Sequence, residues 1–238
     1  MEFRQLVTAA ERGIFSARVE QARAAHGADF HASNRSREAN QSRLEAARIY
    51  GLFEHAVAPA EKMIAGIAMH DLETFPQSCS APDLSQYVAR TVVECSDHWS
   101  LSTGAGMLAW AGLAMPMRLL GVKAVLAYLA SGDKENEHAG FYASMGFVET
   151  GPVVEHPFVE VADGSHRRVQ PVLLSGPALE IVIDAFARAC INFSADGHIF
   201  HLRSFVRPLV RRAACGRSRL LRPPVTPSAG NVMVQSNR

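Results

Sequence analysis

Apolar residues recur near the start of the chain at helical spacing. Ile14, Phe15, Val19 and Ala22 form one stripe. Thr8-Ala9-Ala10-Glu11 precedes it, an arrangement in which an N-cap threonine and the glutamate three residues on satisfy each other's amides. The pattern predicts a helix over 9–25 with Gly27 as its stop. From Ser33 to Arg48 Arg, Asn and Glu dominate, as in a solvated second helix or a mobile loop. The period then shortens to two. Tyr50 to Val57 and Met63 to Met69 read as strands joined at Pro59-Ala60. Tyr87 to Ser96 reads as another, with Val92, Glu94 and Ser96 on one face and Val93, Cys95 and Asp97 on the other.

Helical spacing returns over Met107 to Leu120, where Pro116 predicts a kink and Gly121 the end. Val122 to Leu129 is almost wholly apolar, the mark of a central strand. Glu135 to Met145 reads as a helix with Gly146 just past it, and Phe147 to Val154 and Phe158 to Val161 as strands. Asp163-Gly164 suits a tight hairpin. Its return strand, Val169 to Leu174, carries Pro171, which confines it to an edge or a bulge. Pro177 opens a last helix, Leu179 to Ile191.

Composition adds bounds. At 238 residues and 48% hydrophobic content the chain supports one domain with an appendage. A net charge of +1 provides no global steering toward nucleic acid or an anionic membrane. After Asp196 there are eight arginines and no acid, so residues 1–195 are expected to form the domain and 196–238 a basic, disordered tail. The four widely spaced cysteines form no CxxC pair, which predicts a reduced, cytoplasmic setting. No apolar signal region follows Met1, and the longest uncharged run, Trp99 to Met117, reads as a buried helix rather than a transmembrane segment.

Three places carry candidate chemistry. Ser102-Thr103-Gly104-Ala105-Gly106-Met107 joins a strand to a helix start. Glycines there permit positive φ, and free amides with the helix dipole favour an anion. The same glycines also serve a strand and helix that merely pack closely. Tyr142 offers a phenol as acid, or is a core tyrosine with its tip at the surface. Glu94 offers a carboxylate base, acting directly or through water, or is a strand carboxylate paired with Arg90. His98, His156 and the pair His198 and His201 bring no third ligand together, so no metal site is expected.

Ser102 to Leu108, followed by Ala139-Gly140-Phe141-Tyr142-Ala143-Ser144-Met145-Gly146-Phe147, resembles the GNAT superfamily of N-acyltransferases. The resemblance implies an α/β (α+β) fold whose mixed, mostly antiparallel central sheet carries helices on both faces. It implies that Ser102, Thr103, Gly104, Ala105, Gly106 and Met107 hold the phosphate arm of a donor and that Tyr142 protonates the departing thiolate. Leu101 stands where the family has Arg or Gln, and Asn136 and Ala139 sit one residue closer to Tyr142 than the family places its Asn and Ala.

Val93-Glu94-Cys95-Ser96 is similar to the Glu-Leu-Ser-Arg stretch of acyl-homoserine-lactone synthases, with Asp97 in place of Arg. Their Glu-x-Asp-x-x-Asp signature is absent, which sets lactone synthesis aside. Glu11 to Arg18 and Gly151 to Pro157 resemble the N-acyl amino acid synthases, relatives that take a long acyl chain from acyl carrier protein. This branch implies Glu94 as catalytic base and Ser96 and Arg18 at the substrate. The donor would be acyl-ACP or acyl-CoA, with no covalent cofactor, and the acceptor a small-molecule amine such as an amino acid. Arg35, Arg37, Arg43, Arg48 or the tail would meet acidic acyl carrier protein. Two alternatives stay open: an acetyl-CoA-dependent N-acetyltransferase of small amines, and a degenerate GNAT domain that binds without turnover.

Overall fold

The computed structural model describes residues 1–25, 28–30, 33–54, 63–102, 104–131, 136–188, 190–194 and 199–202. The chain begins with a short strand β1 (Glu2–Gln5) and runs into α1 (Ala9–Ala25). The Thr8 hydroxyl and the Glu11 carboxylate bond at 2.9 Å, and the Glu11 amide bonds back to the Thr8 hydroxyl at 3.3 Å, so the capping box forms as the spacing predicts. Then follow β2 (Ala28–Phe30), α2 (Asn34–Ala46), β3 (Arg48–Phe53), β4 (Met63–Asp71), β5 (Val92–Ser100), α3 (Ala105–Leu119) and β6 (Ala124–Ala130). The chain continues with α4 (Asn136–Met145), β7 (Val148–Glu149), β8 (Val154–Val161), β9 (His166–Ser175), α5 (Gly176–Ala187), β10 (Cys190–Phe193) and β11 (Ile199–Leu202).

The strands form one sheet in the order β10-β11-β1-β3-β4-β5-β6-β9-β8-β2, with β7 also on β9. Neighbours run antiparallel except β5 and β6, which are parallel. Helices cover both faces. On one, α3 and α5 bury Leu113, Ala109, Leu179 and Phe186 against Phe3, Ile67, Val93 and Val125. On the other, Phe15, Val19 and Leu44 of α1 and α2 pack on Ile49, Ala68 and Trp99. Each such large side chain, fully buried, contributes about 1.5–3 kcal/mol of transfer free energy. Among the described residues no helix is long and apolar enough to cross a membrane.

Several sequence expectations change. α2 is not a solvated helix: Asn40, Arg43 and Leu44 are buried, because its polar inner face docks on charged groups of the sheet. The strand expected at Tyr87 starts at Val92. Pro116 lies inside α3 as the sequence predicts, and the helix runs on to Leu119. β9 is interior, flanked by β6 and β8. Pro171 is tolerated there because it falls where β7 hands over to β8, opposite the bend at Thr150 and Gly151. Ile199–Leu202, assigned to the tail, forms β11 and pairs with β1, so the folded unit reaches past residue 195. Residues 203–238 of the expected tail lie outside the described residues.

Candidate active site

β5 and β6 share only three paired positions: Val92 with Ala124, Val93 with Val125, and Glu94 with Leu126. Both strands run on, to Ser100 and to Ala130, without pairing further. Side chains along them change from buried at 92–95 and 124–127 to half-buried at 96–98 and 128–130. This is a fork in the middle of the sheet. Its facing edges carry backbone amides and carbonyls that the partner strand does not satisfy, and such groups call for another partner. A register shift against β4 falls between Ser96 and Trp99, and Asp97 there adopts φ 53°. A non-glycine residue in this left-handed region is uncommon, and aspartate is among the residues that tolerate it best. The bulge breaks the alternation expected from the sequence, so Asp97 follows Ser96 onto one face and His98 turns to the other.

The mouth of the fork meets the start of α3. Gly104 is the N-cap, at φ 89°, and no side chain caps the helix. Its first turn holds no acid, so the positive end of the dipole is left for an anion. Gly104 and Ser102 are exposed, while Ala105 and Gly106 are buried and Met107 half-buried. Thr103 lies outside the described residues. Gly106 serves differently from the expectation: it does not adopt positive φ. A Cβ on it would stand 2.9 Å from the His98 imidazole. His98 in turn donates through Nε2–H to the Gly106 carbonyl at 3.2 Å and stacks on Phe141, with ring centroids 6.5 Å apart. The glycine therefore lets a histidine of the fork dock on the helix. Leu101 is 56% exposed.

Tyr142 lies on the α3 side of the fork. Its ring meets Trp110, Phe141 and Phe147 edge to face at 5.6, 5.4 and 5.2 Å, geometries that aromatic pairs favour. Gly146 at φ 88° ends α4, and the Phe147 amide bonds the Tyr142 carbonyl at 3.1 Å. Burial, with nearby Cys95 on β5, pushes the Tyr142 phenol well above its ordinary pKa, while the Trp110 indole opposes the shift. The hydroxyl stays protonated at neutral pH, as a proton donor must.

The opposite face is charged and dry. Glu94 is 0% exposed. One carboxylate oxygen takes the Arg43 guanidinium at 2.5 Å and the Ser78 hydroxyl, and the other takes the Ser78 amide at 2.7 Å. Arg43, 2% exposed, lies over the Phe158 ring at 5.0 Å. Arg90, the partner suggested by sequence, is exposed. A buried guanidinium committed to the sheet is also no rim contact for a carrier protein, and Arg48 pairs with Asp71 at 2.8 Å. Arg35 and Arg37 are exposed.

Next along β5, Ser96 donates to Asp97 at 2.8 Å, and Asp97 takes Arg23 of α1 at 2.5 Å. Since the Ser96 proton is spent on Asp97, the His70 contact at 2.9 Å is an Nε2–H donating to Ser96. Burial, with Arg43 adding, lowers the His70 pKa to about 3, so the ring is neutral. Burial works to raise the Asp97 pKa, but Arg23 and Arg43 hold it below the ordinary value. Arg18 bonds Gln21 of its own helix at 2.9 Å; Arg23 is the α1 arginine that reaches the fork. Tyr128 of β6 donates to the Ala81 carbonyl at 2.9 Å. With Ser78 on Glu94, this holds the β4–β5 loop against the fork. Arg23, His70 and Ser78 were not singled out by sequence, because their partners are remote along the chain. Among the described residues no group of three or more His, Cys, Asp and Glu is placed to hold a metal. His198 lies outside the described residues.

No protein-family model matches this chain, and no curated protein matches its sequence. Solved structures do match in fold. FeeM, an N-acyl amino acid synthase from uncultured soil microbes, superposes with a TM-score of 0.54 at 17% identity, over 75% of this chain and 93% of that one. A probable acetyltransferase from Staphylococcus epidermidis ATCC 12228 superposes with a TM-score of 0.50 at 10% identity, over 74% of this chain and 99% of that one. The likeness is one of fold. The mixed, mostly antiparallel sheet with helices on both faces is the GNAT architecture expected from the two sequence motifs.

Proposed function

We propose that the chain is an N-acyltransferase, moving an acyl group from a phosphopantetheine thioester, on acyl carrier protein or coenzyme A, to the amine of an amino acid. The observation that carries this reading is the fork: two parallel strands that stop pairing after Glu94 and Leu126. A pantetheine arm is extended and carries amides. Such an arm can act as a strand between β5 and β6 and satisfy the edges they leave open. The uncapped start of α3, with Ser102, Thr103, Gly104, Ala105, Gly106 and Met107, is assigned to its phosphate. Leu101 supplies no charge to a second phosphate, which favours the single phosphate of a carrier-bound arm. The amino acid acceptor is drawn from the likeness to FeeM.

In the reaction the amine nitrogen attacks the thioester carbonyl, the carbon–sulfur bond breaks, and the thiolate takes the Tyr142 proton. The amine's surplus proton is relayed through solvent to the tyrosinate, which restores the phenol. Ser96, half-buried on the face opposite Tyr142, is assigned to the acceptor side. Arg18, bonded to Gln21, is left at its outer edge. Glu94 is assigned the structural alternative, as the anion that holds Arg43 and the Ser78 loop. Incubating the protein with acyl-CoA or acyl carrier protein and mixed amino acids, then analysing by mass spectrometry, tests the reading. An acylated amino acid is expected. Thioesters left intact with every acceptor would leave a binding domain instead.

A further inference from the structure

We infer that Trp110 closes the acyl pocket and restricts the donor to short acyl groups; this inference rests on the acyltransferase reading. With a thioester carbonyl beside the Tyr142 hydroxyl, the apolar core that surrounds Tyr142 on the α3 side is the environment that suits an apolar acyl tail. A cavity lies there, lined wholly by apolar residues, among them Trp110, Ala114, Met117, Val125, Met145 and Phe147. It measures about 10 Å³, which holds at most one water-sized group. Trp110 belongs to both places: it lines this cavity and stands edge-on to Tyr142 and to Phe147, each at 5.6 Å. A tail passing the phenol meets the indole first.

An acetyl group carries only one methyl beyond the carbonyl. An octanoyl tail would have to insert several methylenes into a close-packed interior, which forces neighbours off their rotamers. Behind the indole the lining is adaptable: Ala114 is small, and Met117 and Met145 are flexible thioethers. Shortening residue 110 therefore removes the ring that stands between Tyr142 and the cavity and enlarges the apolar space next to the phenol. The long acyl chain implied by the resemblance to N-acyl amino acid synthases is thus excluded by one side chain.

The test compares wild type with Trp110→Leu and the milder Trp110→Phe. It measures turnover and calorimetric binding of S-acetyl-4′-phosphopantetheine and S-octanoyl-4′-phosphopantetheine, with one amino acid as acceptor. Wild type should favour acetyl over octanoyl at least tenfold. Trp110→Leu should shift that ratio at least tenfold toward octanoyl, and Trp110→Phe should shift it the same way by less; if the leucine variant does not fold, the phenylalanine variant decides. Equal handling of both thioesters by wild type overturns the inference and leaves the acyltransferase standing. So does a folded variant that weakens both thioesters alike, as a purely structural tryptophan would. A wild type that neither binds nor converts either thioester overturns the acyltransferase reading and this inference with it.

Discussion

Replacing Glu94 with alanine should destabilise the fold by about 3–5 kcal/mol, the usual cost of removing one partner from a buried ion pair. Arg43 is 2% exposed and has Glu94 as its carboxylate. Without it a guanidinium stays buried between aromatic rings, far from compensating water. The Ser78 amide and hydroxyl lose their acceptor in the same step, so the loop between β4 and β5 loosens as well. For a domain of this size the melting midpoint should fall by roughly 10 °C. A proton-accepting Glu94 predicts the reverse pattern: activity lost and the melting curve little changed. Calorimetric melting of the variant separates the two roles.

Tyr142→Phe should lower kcat by about 100-fold or more, within the range that a positioned general acid contributes. KM and thermal stability should change little, since the ring contacts with Trp110, Phe141 and Phe147 do not involve the hydroxyl. The raised pKa of the phenol fixes the sign of its pH dependence. Deprotonation begins only above the ordinary tyrosine range, so no alkaline loss of rate below about pH 10 belongs to this group. Stopped-flow release of thiol from an acyl thioester measures the effect. Equal rates in the two proteins would remove Tyr142 from the chemistry.

The elements legible in the sequence are those with local causes. α1 forms over the span its apolar stripe and capping box predict, α3 and β6 follow from runs of apolar residues, and α3 and α4 stop at the glycines that the sequence marks, Gly121 and Gly146. The short edge strands β2, β10 and β11 carry too few residues to show a period. Strand parity in β5 was readable up to Ser96 and failed at Asp97, because a bulge depends on the neighbouring strand rather than on its own sequence. The candidates Gly104 and Tyr142 are picked out by the resemblance of their surroundings to a known family pattern. The charged face was not, since Arg43 and Glu94 are 51 residues apart and Arg23 and Asp97 are 74. An arginine in a polar helix gives no sign of which side it buries. Arg43 therefore read as a surface contact when it is among the least exposed side chains of the chain.

The central claim is that the open edges of β5 and β6 take up the donor's arm as a strand. Backbone hydrogen exchange with and without saturating S-acetyl-pantetheine tests it most directly. The account predicts slowed exchange in residues 95–100 and 127–130, where the pairing of β5 with β6 has ended. Unchanged exchange in both segments while the thioester is bound, or protection confined to other strands, would contradict it.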